Sequence, residues 1–148
     1  MEFTVRSQNL VQKQTRYLGI DPGLNRTGYA LIERTSRGPF LREGGVIQST
    51  KTLSLHQRVH EIGCGIREVL AELKPEIVAI EQVFSNALNV KSSLLLAHAR
   101  GAILMTIADA GIPVIHYTPA EVKRLLTGSG KAPKDQMQHA IQAALRLT

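Results

Sequence analysis

Hydrophobic positions change rhythm several times along this chain, and each change marks an element. Tyr17-Leu18-Gly19-Ile20 is a short apolar run closed by Asp21, which predicts a buried strand over 17–21 before the turn residues Pro22-Gly23-Leu24-Asn25. A second strand is expected over 28–33, a break at Thr35-Ser36-Arg37-Gly38-Pro39, and a third strand over 40–48, together a three-stranded antiparallel meander. The rhythm then becomes helical. From Ser54 to Lys74, Leu55, Val59, Ile62, Ile66, Val69, Leu70 and Leu73 fall on one side of a helix turning about 100° per residue, with Glu61, Glu68 and Glu72 on its outer flanks and Cys64 opposite. Pro75 stops that helix, and Glu76-Ile77-Val78-Ala79-Ile80-Glu81 reads as a fourth strand, parallel to the first by the right-handed crossover rule.

A second helix is expected over 87–110. Leu94-Leu95-Leu96-Ala97 and Ala102-Ile103-Leu104-Met105 make it apolar nearly all round, the pattern of a helix buried on two sides, in a core or partly in a subunit interface. Gly111-Ile112-Pro113 ends it, a short strand follows over 114–117, and Thr118-Pro119 is a cap with proline at the first helical position, opening a helix to Leu126. The glycine loop Thr127-Gly128-Ser129-Gly130 separates this from a last helix over 133–146. Residues 1–16 show no sustained period and are expected to form a mobile extension ahead of a single domain that begins at Tyr17.

Chemistry enters through the two acids that close apolar strands, Asp21 and Glu81. A carboxylate in an apolar setting costs several kcal/mol unless it is paired, hydrogen-bonded or bound to a metal, and two of them invite a divalent cation. The element order β-β-β-α-β-α-β-α with acids at these positions resembles the ribonuclease H-like arrangement. That implies an α/β fold: a mixed five-stranded sheet, three antiparallel strands then two parallel, with helices on both faces. Its first and fourth strands are neighbours, so Asp21 and Glu81 would project from one sheet edge. Hard oxygen ligands suit Mg²⁺, with Mn²⁺ as the alternative, better than zinc, and carboxylate-held cations support phosphodiester hydrolysis.

Composition narrows the setting. With 43% hydrophobic and 20% charged residues in 148, the chain is ordinary globular protein, without a membrane-length apolar run or the apolar core of a signal peptide near its start. A single cysteine, Cys64, cannot form an internal disulfide, and the expected compartment is the reducing cytoplasm. The net charge is +6, concentrated where residues 85–148 carry seven Lys or Arg against three acids. Such an excess fits a polyanion such as nucleic acid, and equally a solvated basic surface.

Gly19-Ile20-Asp21-Pro22-Gly23 with Thr27-Gly28-Tyr29, Ala79-Ile80-Glu81-Gln82-Val83-Phe84, and Ala99-Arg100-Gly101 closely resemble the RuvC family of Holliday junction resolvases. The resemblance continues through Tyr117, Val122-Lys123, Gly128-Ser129-Gly130, and Lys134 with Gln138-His139, covering about residues 17 to 147. It implies that Asp21 and Glu81 are catalytic carboxylates that bind the metal. Phe84 is then the aromatic that inserts at the opened junction centre and stacks on a base. Lys123 and Lys134 hold the junction strand near the scissile phosphate, and Arg124 and Lys131 join them in the DNA-binding set. The implied partners are four-way branched DNA, a second copy of the chain in a homodimer, and a branch-migration motor; no membrane is implied.

One departure carries weight. The family's last helix opens with a segment of the type Asp-Ala-Ala-Asp-Ala-Leu that supplies further acidic ligands, and no such segment occurs before Thr148. The expectation is a nuclease domain, 17–148, shortened before that helix, which binds branched DNA and cleaves it weakly or not at all. Asp135, in the first turn of a helix, and Asp109 are expected to serve other ends.

Several features take plainer readings. His56 and His60 are spaced i, i+4 without the Glu of a zinc-protease pattern, and are expected on a solvated helix flank. His98 and His116 sit in apolar stretches and are expected in the core or at a sheet edge, and His139 carries no assigned chemistry. Gly128-Ser129-Gly130-Lys131 lacks the spacing of a phosphate loop, although Lys131 and Lys134 beside it suit DNA phosphates. The alternatives to a nuclease are a catalytically inactive branched-DNA-binding domain and a fragment of an actin-like or sugar-kinase-like ATPase, whose strands also end in Gly-x-Asp-x-Gly.

Overall fold

The computed structural model describes residues 14–82 and 89–147. Phe84 therefore lies outside the described residues, as does most of the 1–16 segment. Five strands, β1 (Arg16–Asp21), β2 (Arg26–Thr35), β3 (Gly38–Gln48), β4 (Ile77–Glu81) and β5 (Val114–Tyr117), form one sheet in the order β3-β2-β1-β4-β5. The first three pair antiparallel, and β4 and β5 join them in parallel. Four helices complete the chain: α1 (Leu55–Leu73), α2 (Val90–Asp109), α3 (Pro119–Thr127) and α4 (Lys134–Leu145). The ribonuclease H-like architecture expected from the acid-closed strands is present.

The register decides what each face does. Leu18 and Ile20 of β1, Leu31 of β2, and Val78 and Ile80 of β4 point to one face, where they meet Ile62, Ile66, Leu70 and Leu73 of α1 and Ile103 and Ile107 of α2. Because strand side chains alternate, Tyr17, Gly19 and Asp21 look the other way, as do Ala79 and Glu81. The helices α3 and α4 pack on each other, and α4 reaches β3, where the Arg146 guanidinium donates to the Arg37 carbonyl at 3.2 Å.

Helix ends follow local chemistry. The Gln57 side-chain oxygen accepts from the Ser54 backbone N–H at 3.1 Å at the start of α1, and Lys74 closes it in the left-handed region at φ 48 before Pro75. At α3, Thr118 and Glu121 exchange hydrogen bonds in a capping box, with Pro119 at the first position. Gly65 lets α1 lie close on β3, since a Cβ there would come within 2.5 Å of Ile47.

The structure departs from expectation in four places. The β2–β3 hairpin extends to Thr35 and Gly38 where a longer break was expected, because Gly38 adopts φ 107 and the Thr35 hydroxyl donates to its carbonyl at 2.7 Å. Pro39 is tolerated because β3 is an edge strand. Leu55, placed on the buried stripe, is 39% exposed, since it stands at the first turn of α1 beyond the sheet's cover. Within one chain α2 buries only one side, through Ala99, Ile103, Thr106 and Ile107, while Val90, Leu94 and Met105 are more than half exposed.

The fourth departure concerns the domain's start. Arg16, expected in the extension, is the first residue of β1, and its Nε donates to the Glu33 carboxylate at 3.1 Å while its Nη1 donates to the Leu73 carbonyl at 2.9 Å. Arg42 Nε meets the other Glu33 oxygen at 2.6 Å. Glu33 is only 2% exposed, and this pairing with two guanidinia, first of all Arg42, holds its carboxyl below the usual glutamate range.

Candidate active site

Asp21 and Glu81 close neighbouring parallel strands whose registers match Ile20 with Ile80. One residue further on, both side chains leave from the same edge and the same face of the sheet. Burial pushes the Glu81 carboxyl up from its usual value, the negative charge of Asp21 pushes it further, and the positive charge of Lys123 acts in the opposite sense. Three of the residues expected at the site, Asp21, Glu81 and Lys123, are thus brought within electrostatic reach. The pair is electrostatically unfinished: two adjacent anions, one half-buried, with one lysine on α3 in partial compensation.

The loop after Asp21 is braced. Gly23 N–H donates to the Thr27 hydroxyl oxygen at 3.2 Å, and that hydroxyl donates to the Gly23 carbonyl at 2.8 Å. Glycine is required at 23, because a Cβ would stand 2.2 Å from the Arg26 carbonyl oxygen. Thr27 is fully buried, and Ser49 beyond β3 donates to the Leu24 carbonyl at 2.5 Å. Arg58 of α1 donates to both the Ser49 hydroxyl and the Asn25 side chain, tying this turn to the core helix. Gly28 stands opposite Asp21 on β2, so no β2 side chain crowds its carboxyl.

The far side of the pair is braced by other residues. Gln82 N–H donates to the Tyr117 carbonyl at 2.7 Å, joining the ends of β4 and β5. Arg100 Nε donates to the Glu81 carbonyl at 3.1 Å, and its Nη2 meets His116 Nδ1 at 2.6 Å. His116, expected in the core or at a sheet edge, is exposed on the edge strand β5, and His98, for which the same was expected, is exposed on α2.

Arg124 on α3, Lys134 at the start of α4 and Lys131 in the loop between them are exposed, so the helix pair that includes Lys123 also presents the remaining cations of the expected DNA-binding set. The glycine loop there is a helix terminus: Gly128 caps α3 at φ 81, its N–H bonded to the Arg124 carbonyl at 2.8 Å. His56 and His60 are exposed on α1 as expected, and His60 lies 3.3 Å from the Cys64 sulfur. Among the described residues, no three His, Cys, Asp or Glu side chains converge in a cation site. The bracing residues Thr27, Ser49, Arg58, Arg100 and His116 carry no assignment from sequence, although Thr27 and Arg100 stand inside recognisable motifs.

Known proteins share this arrangement. A family model described as crossover junction endodeoxyribonuclease RuvC matches residues 17–148. The protein of that name from Rhodopirellula baltica is 47% identical over 130 residues, covering 88% of this chain and 73% of the relative, and that from Bordetella avium is 43% identical over 134 residues, covering 89% and 72%. Among solved structures, Thermus thermophilus RuvC in complex with a Holliday junction substrate superposes with a TM-score of 0.82 at 30% identity, covering 90% of this chain and 81% of that one. The carboxylate-bearing strands, the helices that buttress them and the sequence between them are therefore those of one family: this chain belongs to the RuvC crossover junction endodeoxyribonucleases.

Proposed function

We propose that this chain binds four-way DNA junctions and cuts them by divalent-cation-dependent phosphodiester hydrolysis, weakly with only two acids gathered at the site among the described residues, Asp21 and Glu81 being catalytic carboxylates. The observation that carries this reading is the juxtaposition of the two acids on β1 and β4, with Glu81 pushed up by burial and by Asp21. Their donor set fits a hard cation, because two carboxylates destabilise each other most when no cation lies between them. Mg²⁺ is the proposed ion and Mn²⁺ its substitute. Bound there, such an ion supplies Lewis-acid stabilisation of charge on the phosphate oxygens.

The chain's own groups do the rest. The β1 and β4 termini, braced by Thr27 on one side and by the Gln82 and Arg100 bonds on the other, hold both carboxylates at one edge. Lys123 places a cation beside them and favours approach of a phosphodiester, and Arg124, Lys131 and Lys134 extend the cationic track along α3 and α4. Phe84 is proposed to stack on a base at the junction centre. The apolar outer side of α2, where Val90, Leu94, Ala97 and Leu104 line a shallow cavity of about 360 Å³, supports a homodimer matching the two-fold symmetry of a four-way junction. A branch-migration motor as partner and a cytoplasmic setting belong to the same proposal, the first by family resemblance and the second by the single thiol of the sequence.

The deciding experiment is a synthetic four-way junction incubated with purified protein and Mg²⁺ or Mn²⁺. Paired symmetric nicks that vanish in Asp21→Asn support the reading. Tight, salt-sensitive junction binding without nicks under either metal would instead favour an inactive branched-DNA-binding domain. Leu94→Asp should shift the sedimenting species from dimer to monomer, and an unchanged mass would remove α2 from the interface.

A further inference from the structure

We propose that Arg100 is the positioning residue of the metal site: it fixes the end of β4 so that the Glu81 carboxylate faces Asp21. The inference rests on the reading of Asp21 and Glu81 as the metal-binding pair. Arg100 leaves the middle of α2, immediately after Ala99, which is fully buried and anchors the helix to the sheet at this level. From there its Nε donates to the Glu81 carbonyl at 3.1 Å and its Nη2 meets His116 Nδ1 at 2.6 Å. Since a guanidinium only donates, Nδ1 is the acceptor in this contact.

The two contacts form a clamp across the last two strands. Ile80 is paired with His116 and Glu81 with Tyr117, so Arg100 spans neighbouring strands where the ladder ends. β4 finishes at Glu81, and beyond Gln82, whose N–H bonds the Tyr117 carbonyl, the chain leaves the sheet. The Glu81–Gln82 peptide plane is thus held on its N–H side by β5, with the last ladder bond, and on its carbonyl side by Arg100. Rotation of that plane swings the Glu81 side chain, so a carboxylate that must be well placed needs both sides fixed. Arg100 supplies the second restraint from the helix layer.

Charge does not explain the contact. The charges acting on the Glu81 carboxyl are those of Asp21 and Lys123, whereas Arg100 approaches the backbone oxygen. A residue working in this way acts through Glu81 and not on the substrate, in the manner of the outer groups that orient metal ligands, whose loss typically costs about 10- to 100-fold in metal affinity. It also gives a reason for arginine: its planar fork bonds two acceptors at fixed separation, whereas a lysine ammonium is a single point donor.

Mn²⁺ titration of the purified, DNA-free protein, read as loss of the free-ion paramagnetic resonance signal, tests this without relying on cleavage. Arg100→Met should weaken the Asp21-dependent Mn²⁺ affinity about tenfold or more, with Arg100→Lys intermediate. His116→Leu should weaken it less, and His116→Asn, which keeps an acceptor near Nδ1, less again. Should Arg100→Met fail to fold, the His116 pair still gives the ranking. A lowered melting temperature in Arg100→Met with unchanged Mn²⁺ affinity would reduce the residue to a structural tie and overturn the proposal. If wild-type and Asp21→Asn proteins bind Mn²⁺ alike, the metal-site reading itself falls, and the clamp's assigned role with it.

Discussion

The two ends of β1 meet acidic residues in opposite ways. At its start, Glu33 on the neighbouring strand is almost wholly buried, yet two arginines saturate its carboxylate and its pKa falls. At its end, Asp21 and Glu81 are less buried, share one partial counter-charge, and the Glu81 pKa rises. The protein completes the first centre from its own side chains and leaves the second short of positive charge. An acid held below its ordinary pKa is a structural element. A neighbouring pair in which burial and the other's charge push one carboxyl up is a place prepared for something cationic.

The sharpest test of this contrast is to neutralise each centre in turn. Asp21→Asn or Glu81→Gln should reduce junction nicking by about 100-fold or more, beyond what loss of an outer-layer group costs. Melting temperature should stay level or rise, because a repulsion is removed. A fall comparable to that of a core mutation would mean that the pair is structural. Glu33→Gln should behave in reverse: a loss of about 2 kcal/mol in denaturant unfolding, typical of a hydrogen-bonded charge, with Mn²⁺ binding intact. The partly exposed arginines can rehydrate, which keeps the loss below that of a fully buried pair.

Smaller effects refine the picture. Thr27→Val removes both bonds to Gly23 and should cost about 1 kcal/mol while raising the Mn²⁺ concentration needed at the site, since the turn after Asp21 loosens. Acid titration of stability should separate the centres by sign. Glu33, with its folded pKa lowered, contributes stability above its unfolded pKa that is lost as pH falls through the folded value. Glu81, with its folded pKa raised, contributes stability below its unfolded pKa that is lost as pH rises through the folded value. Glu33→Gln should therefore flatten the acid limb of the profile, and Glu81→Gln should remove the decline that begins as pH rises out of that range. Matching profiles in the two variants would erase the distinction.

The centre left open was also the easier one to read from sequence. Asp21 and Glu81 each end an apolar run, so strand rhythm alone marked them, and element order placed their strands side by side. The α1 stripe was legible for the same reason, apart from Leu55 at its frayed first turn. Glu33 closes the expected second strand with nothing in the sequence to mark it. Its burial depends on Arg16 and Arg42 arriving from β1 and β3, which only register reveals. Arg100 was equally silent, because its acceptors are a backbone carbonyl and a histidine 16 residues away. His98 misled through its apolar neighbours on α2, a helix whose hydrophobic surface exceeds what one chain covers.

The matched register of Ile20 and Ile80 has a hereditary consequence. Side chains alternate along a strand, so a one-residue slip of β1 would turn Leu18 and Ile20 out of the core, and one of β4 would turn out Val78 and Ile80, in the same stroke that carried that strand's acid to the opposite face. Lineages that drift in this way lose the fold before they could lose the chemistry alone. Every generation that keeps the oily side of these strands packed keeps the acids aligned, and the greasy interior acts as the proofreader of the carboxylate pair.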